Sequence, residues 1–199
     1  MNALKIALAA ALLAGGASPA LAQWRLVDPG ETREVAGSGL VVTAPAEWNR
    51  ATQRPTRRTE IWTKDGNTLG ELDFWLGIKD GDPIFRETSK KKNPLPHFNA
   101  RMLPTDLVEF FEDTARKVLG GSLVETHEVR PATLAGHPAV EFDWSYTGGD
   151  EVDRIGLVRA AIIGDRLYLI NFDAPKLHYF DEHVGEVRRI MDSARFEGS

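Results

Sequence analysis

The sequence predicts an α+β domain, an antiparallel β-sheet flanked by helices. Three observations predict it. Several segments alternate apolar and polar residues with the period of two that marks a half-buried strand. Gly-containing dipeptides such as Asp65-Gly66 and Gly164-Asp165 sit between such segments at hairpin spacing. Helical spacing is confined to two segments, residues 105–121 and 173–191. A chain of 199 residues suits one domain with a substantial core.

Residues 1–22 read as a secretory signal peptide. Lys5 supplies the positive start, residues 6–14 form an unbroken apolar run, and Ala20-Leu21-Ala22 is a small-residue ending. Cleavage is expected between Ala22 and Gln23, which places the mature chain in the periplasm or outside the cell. No later segment approaches the roughly 20 apolar residues of a membrane-spanning helix. No cysteine follows the cleavage site, so a lipobox anchor is excluded. Loss of Lys5 with the leader makes the formal net charge of −5 one unit more negative. An acidic chain lacks the basic footprint of general nucleic-acid binding. The absence of cysteine removes disulfides, thiolate nucleophiles and cysteine metal sites.

Residues 23–38 are polar, contain Pro29 and Gly30, and read as an irregular lead-in to a single domain over 39–199. Residues 40–43 read as a short strand, with Pro45 turning the chain and Trp48 folding back onto the core. The stretch 59–78 reads as a hairpin around Asp65-Gly66. In its second arm Leu72, Phe74, Leu76 and Ile78 are expected on one face, opposite Glu71, Asp73 and Trp75. Residues 79–103 form a long polar connection. Residues 105–121 follow as a helix, with Thr105 as N-cap, an apolar face of Leu107, Phe110, Phe111 and Val118, and a stop at Gly120-Gly121. A strand is allowed at 124–129. The turn at 135–138 leads into a strand with Val140, Phe142, Trp144 and Tyr146 on one face and Glu141, Asp143 and Ser145 on the other. Residues 154–172 read as another hairpin, with Tyr168, Ile170 and Phe172 sharing a face. The last helix is expected to be capped by Asp173 or Ala174, with an apolar seam of Leu177, Phe180, Val184, Val187 and Met191.

Three short motifs carry a family resemblance. They are "PAEW" at 45–48, "AGHPAVEFDW" at 135–144 and "SARF" at 193–196. Together they resemble the PsbP-like group, which includes bacterial envelope relatives of the DcrB type, over roughly residues 37–196. The resemblance implies an α/β/α sandwich and an accessory or binding role in a lumenal or periplasmic space. It carries over no catalytic residues.

Two acidic pairs stand at i, i+2: Glu71 with Asp73, and Glu141 with Asp143. On neighbouring strands the four carboxylates would crowd together, raise their proton affinity or recruit a hard cation such as calcium, with His137 beside them. The simpler account is a solvated polar face offset across strands by Arg154, Arg159 or Arg166, with His137 as a turn residue. Lys90, Lys91 and Lys92 form the one basic run. They read as a solvated loop or, with His97 and Phe98, as a docking arm for an acidic partner or anionic headgroups. His178 and His183 are expected at the surface, His178 pairing with Glu182. Ser38 lacks a nucleophile elbow.

The expectation is therefore an exported, non-catalytic accessory or binding protein with an envelope protein partner, docking through Lys90, Lys91, Lys92, His97 and Phe98. An anionic membrane surface is the other partner considered, and no cofactor is expected. The alternative is a metal or small-ligand sensor holding a divalent cation on Glu71, Asp73, Glu141, Asp143 and His137. A second alternative is a hydrolase whose triad assembles only in space.

Overall fold

The computed structural model describes residues 23–87, 94–120 and 123–198. Along the chain they form β1 (Trp24–Val27), β2 (Thr32–Glu34), β3 (Leu40–Thr43), β4 (Trp48–Ala51), β5 (Thr59–Thr63) and β6 (Glu71–Lys79). There follow α1 (Pro104–Val118), β7 (Val124–Leu134), β8 (His137–Thr147), β9 (Asp153–Ile163), β10 (Arg166–Pro175), α2 (Tyr179–Asp192) and β11 (Arg195–Phe196). Eight strands make one sheet in the order β1-β4-β5-β6-β10-β9-β8-β7, and β11-β3-β2 make a second, smaller one. Every pairing is antiparallel. The expected α+β class, a PsbP-like sandwich, is the one observed.

The large sheet has apolar side chains on both faces, and each face has its own cover. Leu72, Phe74, Ile170 and Phe172 pack with Val187, Ile190 and Met191 of α2 and with the small sheet. Val140, Phe142, Trp144 and Val158 pack with Leu107, Phe110 and Phe111 of α1. This is why β9 and β10 are buried along most of their length. The lead-in is not irregular: β1 and β2 pair with β4 and β3. Trp48 is fully buried as expected and opens β4.

The strict alternation expected in β6 fails at one residue. Gly77 has φ +72° and is skipped in the pairing, where Leu167 faces Ile78 and Tyr168 faces Leu76. The bulge moves Ile78 to the α1 side with Trp75, while Leu72, Phe74 and Leu76 stay on the α2 side. The β7–β8 turn is Ala135-Gly136, both with positive φ, so His137 and Pro138 already lie in the strand.

Both helices start differently from expectation. Thr105 is not the cap of α1. Pro104 occupies the first turn, and the Leu103 N–H donates to the Asp106 carboxylate at 2.8 Å. Val118 is exposed. Asp173 and Ala174 do not cap α2, because β10 runs to Pro175 and the residue before the helix is His178. Leu177 is 86% exposed, and the buried seam is Phe180, His183, Val187, Ile190 and Met191. His183 is thus a core residue, with Nε2 at 2.7 Å from Asp65 and its ring edge-on to Trp48. His178 pairs with Glu182 at 2.9 Å on the surface, as expected. No helix among the described residues is long and apolar enough to cross a membrane.

Candidate functional site

The two acidic pairs do not meet. Strands β10 and β9 separate β6 from β8, and the pairs face opposite sides of the sheet. On the α2 side Glu141 lies between Arg159 (2.6 Å) and Arg130 (2.8 Å), and Asp143 also takes Arg130, at 3.0 Å. The simpler account, cross-strand pairing with arginine, describes this pair. His137 is exposed, edge-on to Phe196 and remote from β6. The described residues contain no group of three or more His, Asp or Glu placed to hold a metal ion. The five residues of the cation alternative are therefore not brought together.

Glu71 and Asp73 have a different setting. They are not a solvated face. Asp73 is 4% exposed and faces the α1 side with Trp75. Register places Asn171 opposite Asp73 and Asp173 opposite Glu71 on β10. Asn171 donates to Asp73 at 3.3 Å and to Asp173 at 3.0 Å, and Tyr146 donates to Asp173 at 2.9 Å. Trp144 donates its indole N–H to the Asn171 carbonyl at 2.9 Å. That bond orients the amide, so its NH₂ points at the carboxylates.

These groups line one wall of a cavity of about 240 Å³ between the sheet and α1. Its origin is geometric. Helix α1 packs over β7 and β8 and leaves the β5–β6–β10 part of that face to the segment around Ile84 and Phe85. The remaining walls are apolar, chiefly Trp75, Phe85, Phe111, Ala115 and Trp144. The aromatic rings are braced: Trp75 meets Phe85 at 5.0 Å, Phe111 meets Trp144 at 5.0 Å, and Trp144 stacks on Tyr146 at 4.8 Å. Pro55, Arg86 and Val118 are the exposed lining residues and mark the mouth.

The electrostatics follow from burial. Burial raises the Asp73 carboxyl well above its usual range, and repulsion from Glu71 and Asp173 adds to this. Burial also raises Glu71 and Asp173. The Tyr146 phenol is pushed far up by burial and by Asp173, so it stays a donor. Among the described residues no Lys, Arg or His forms an ion pair with these three acids. Arg154 acts on Asp173 only from a distance and is held by Asp150 at 2.8 Å.

Gly156 makes the arrangement possible. The Trp144 indole crosses β9 at this residue to reach Asn171, and a Cβ here would lie 2.0 Å from the indole nitrogen. Gly156→Ala is expected to break the Trp144–Asn171 bond and cost about 1–3 kcal/mol. A urea melt, with near-ultraviolet circular dichroism reporting the tryptophans, checks both effects. An unchanged spectrum and midpoint would contradict this geometry.

The remaining sequence candidates fare unevenly. Lys90, Lys91 and Lys92 lie outside the described residues. Phe98 is 1% exposed, packed against Phe110 and tied into the chain by backbone bonds to Gly81 and Asp82. It is an anchor of the connection, not a docking aromatic. His97 is exposed, 3.5 Å from Glu87. Ser38 closes a turn through Val35 and Leu40. Ser145, His127 and Glu125 do come together, at 3.1 and 3.9 Å, but both contacts fall on the same imidazole nitrogen. A relay needs the acid on the other nitrogen, so this is not a triad. The site residues missed from sequence are Asn171, Asp173 and Tyr146. For Asn171 and Asp173 the signal is a polar pair at i, i+2 towards the end of an otherwise apolar strand.

Fold and pocket together define a PsbP-like α/β/α sandwich with an acid-floored cavity under its first helix. The chain is similar to cyanobacterial PsbP (CyanoP) from Synechocystis sp. PCC 6803, with a TM-score of 0.52 and 12% identity over 93% of this chain and 99% of that one. A Bacteroides thetaiotaomicron protein aligns with a TM-score of 0.47 and 8% identity, over 89% of this chain and 50% of that one. LpqN of Mycobacterium tuberculosis, described as involved in cell envelope biogenesis, aligns at 0.38 and 15% identity over 87% of this chain and 78% of that one. No family model and no curated protein sequence matches. These likenesses concern the fold.

Proposed function

We propose that this chain is an exported, non-catalytic binding protein of the cell envelope whose ligand site is the cavity under α1. One observation carries the reading. A mostly apolar cavity holds a small set of converging polar groups, the composition of a small-molecule site. Its volume of about 240 Å³ lies below the roughly 300–1,000 Å³ of drug-sized sites, so the ligand is small. An accessory role in an envelope assembly then rests on carrying or sensing that ligand. The signal-peptide layout of residues 1–22 supports export.

Protein-observed NMR with small aromatic solutes such as indole and benzyl alcohol tests this. The indole N–H signals of Trp75 and Trp144 are expected to shift, and those of Trp24, Trp48 and Trp62 to stay in place. Ala115→Phe, which fills the cavity from α1, should weaken binding at least tenfold. Val118→Trp at the mouth serves if the first variant does not fold. Shifts that avoid Trp75 and Trp144 would set the reading aside.

A further inference from the structure

The cavity's polar groups also specify what kind of ligand it takes, an inference that rests on the binding reading above. Its one charged wall carries Glu71, Asp73 and Asp173: the neutral Asn171 donates to both aspartates, Tyr146 donates to Asp173, and Glu71 shares a side-chain hydrogen bond with Asp73. The only basic residue in the lining, Arg86, is exposed at the mouth. The stretch of α1 that closes the cavity presents Phe111, Ala115 and Val118, none of them charged. The interior is thus complementary to a positive charge that the described residues do not supply.

An inorganic ion suits the site poorly. Calcium needs six to eight oxygens, and these residues present no three-ligand metal group. A cation held by fewer contacts must gain the rest of its affinity by burying an apolar body. The aromatic walls offer that burial, and their faces attract positive charge. An ammonium group has three donors and no acceptor, which suits a wall of carboxylates. We infer that the cavity binds a small primary amine with an apolar body, its ammonium on Asp73 and the flanking Glu71 and Asp173, its hydrocarbon against Trp75, Phe111 and Trp144.

The three carboxyls themselves support this assignment. Burial and mutual repulsion favour a proton among the three carboxyls, and an ammonium would take that proton's place as counter-charge. Calorimetric titration and NMR with 2-phenylethylamine, its neutral counterpart 2-phenylethanol and calcium chloride test the inference at pH 7.5. The amine is expected to bind at least tenfold more tightly than the alcohol, and Asp73→Asn to bring that ratio towards one. A thermal melt of the variant shows that it is folded. Equal affinities for amine and alcohol in the unmodified protein would overturn the amine assignment and leave the binding reading standing. Failure of both to shift Trp75 and Trp144 would overturn both readings. Calcium that shifts the same signals and blocks the amine would assign the site to an inorganic cation instead.

Discussion

Asp73→Asn is expected to raise the melting temperature at pH 8, with the gain shrinking as the pH falls towards 4. Asp73 is buried beside two other carboxyls and has no cationic partner among the described residues. Its folded-state proton affinity is raised, chiefly by desolvation. Between the unfolded and folded pKa values the native state therefore holds more protons than the unfolded chain. Stability falls as the pH rises through that window and is fully present only below the unfolded value. Asparagine keeps the shape, can still accept from Asn171, and removes both the desolvation cost and the repulsion on Glu71 and Asp173. The expected gain at pH 8 is at least about 1 kcal/mol, roughly 2–4 °C in a chain of this size. Differential scanning calorimetry of both proteins across pH 4.5–8 measures it. A difference that stays constant with pH would show that Asp73 holds no extra proton. A stabilised variant that loses amine preference would separate the pocket's binding role from its contribution to the fold.

The opposite face predicts a loss. Arg159 is 6% exposed, donates to Glu141 at 2.7 Å, and reaches Asp192 at the end of α2, also at 2.7 Å. It thus ties the helix to the sheet. Arg159→Met leaves Glu141, itself 5% exposed, with Arg130 alone at close range. Arg188 stands farther off at 3.8 Å. Removing one partner of a buried pair costs about 3–5 kcal/mol, and the surviving Arg130 contact places this variant at the lower end. Adding Glu141→Leu should recover part of the loss, because two buried apolar side chains cost less than one stranded charge. Urea denaturation of the single and double variants decides it. A double variant less stable than the single one would mean that the arginine–glutamate pair is not the source of the cost.

The two acidic pairs show where reading along the chain stops. Both have the same i, i+2 spacing, and both are interleaved with large apolar residues, Leu72 and Phe74 in one case and Phe142 and Trp144 in the other. Glu141 and Asp143 turned out to be an arginine-paired face, and Glu71 and Asp73 the floor of a cavity. What separates them is strand order and which face each pair takes. Neither is written in local periodicity. Asp173, with Ala174 one of the two expected caps of the last helix, differs for a related reason: a polar residue before Pro175 looks like a helix start until β10 is seen to need it as the partner of Glu71. Phe98 lies in the polar connection as expected, but not as a docking aromatic, because burial of a large aromatic ring draws it into the core.

By itself the sequence determined the fold class, the hairpin turns, both helical segments and the split of β8 into an apolar and an acidic face. Those features are local: they depend on side-chain period, on glycine at turns and on the acidic first turn of α1. Only the tertiary structure decided the pairing of the lead-in strands β1 and β2 with β4 and β3, the bulge at Gly77, the true seam of α2 and the cavity. Each of these depends on which segments, distant in sequence, compete to cover the same apolar surface. The cavity exists because α1 packs over β7 and β8 and leaves the part of that face that carries the three carboxyls to the segment around Ile84 and Phe85.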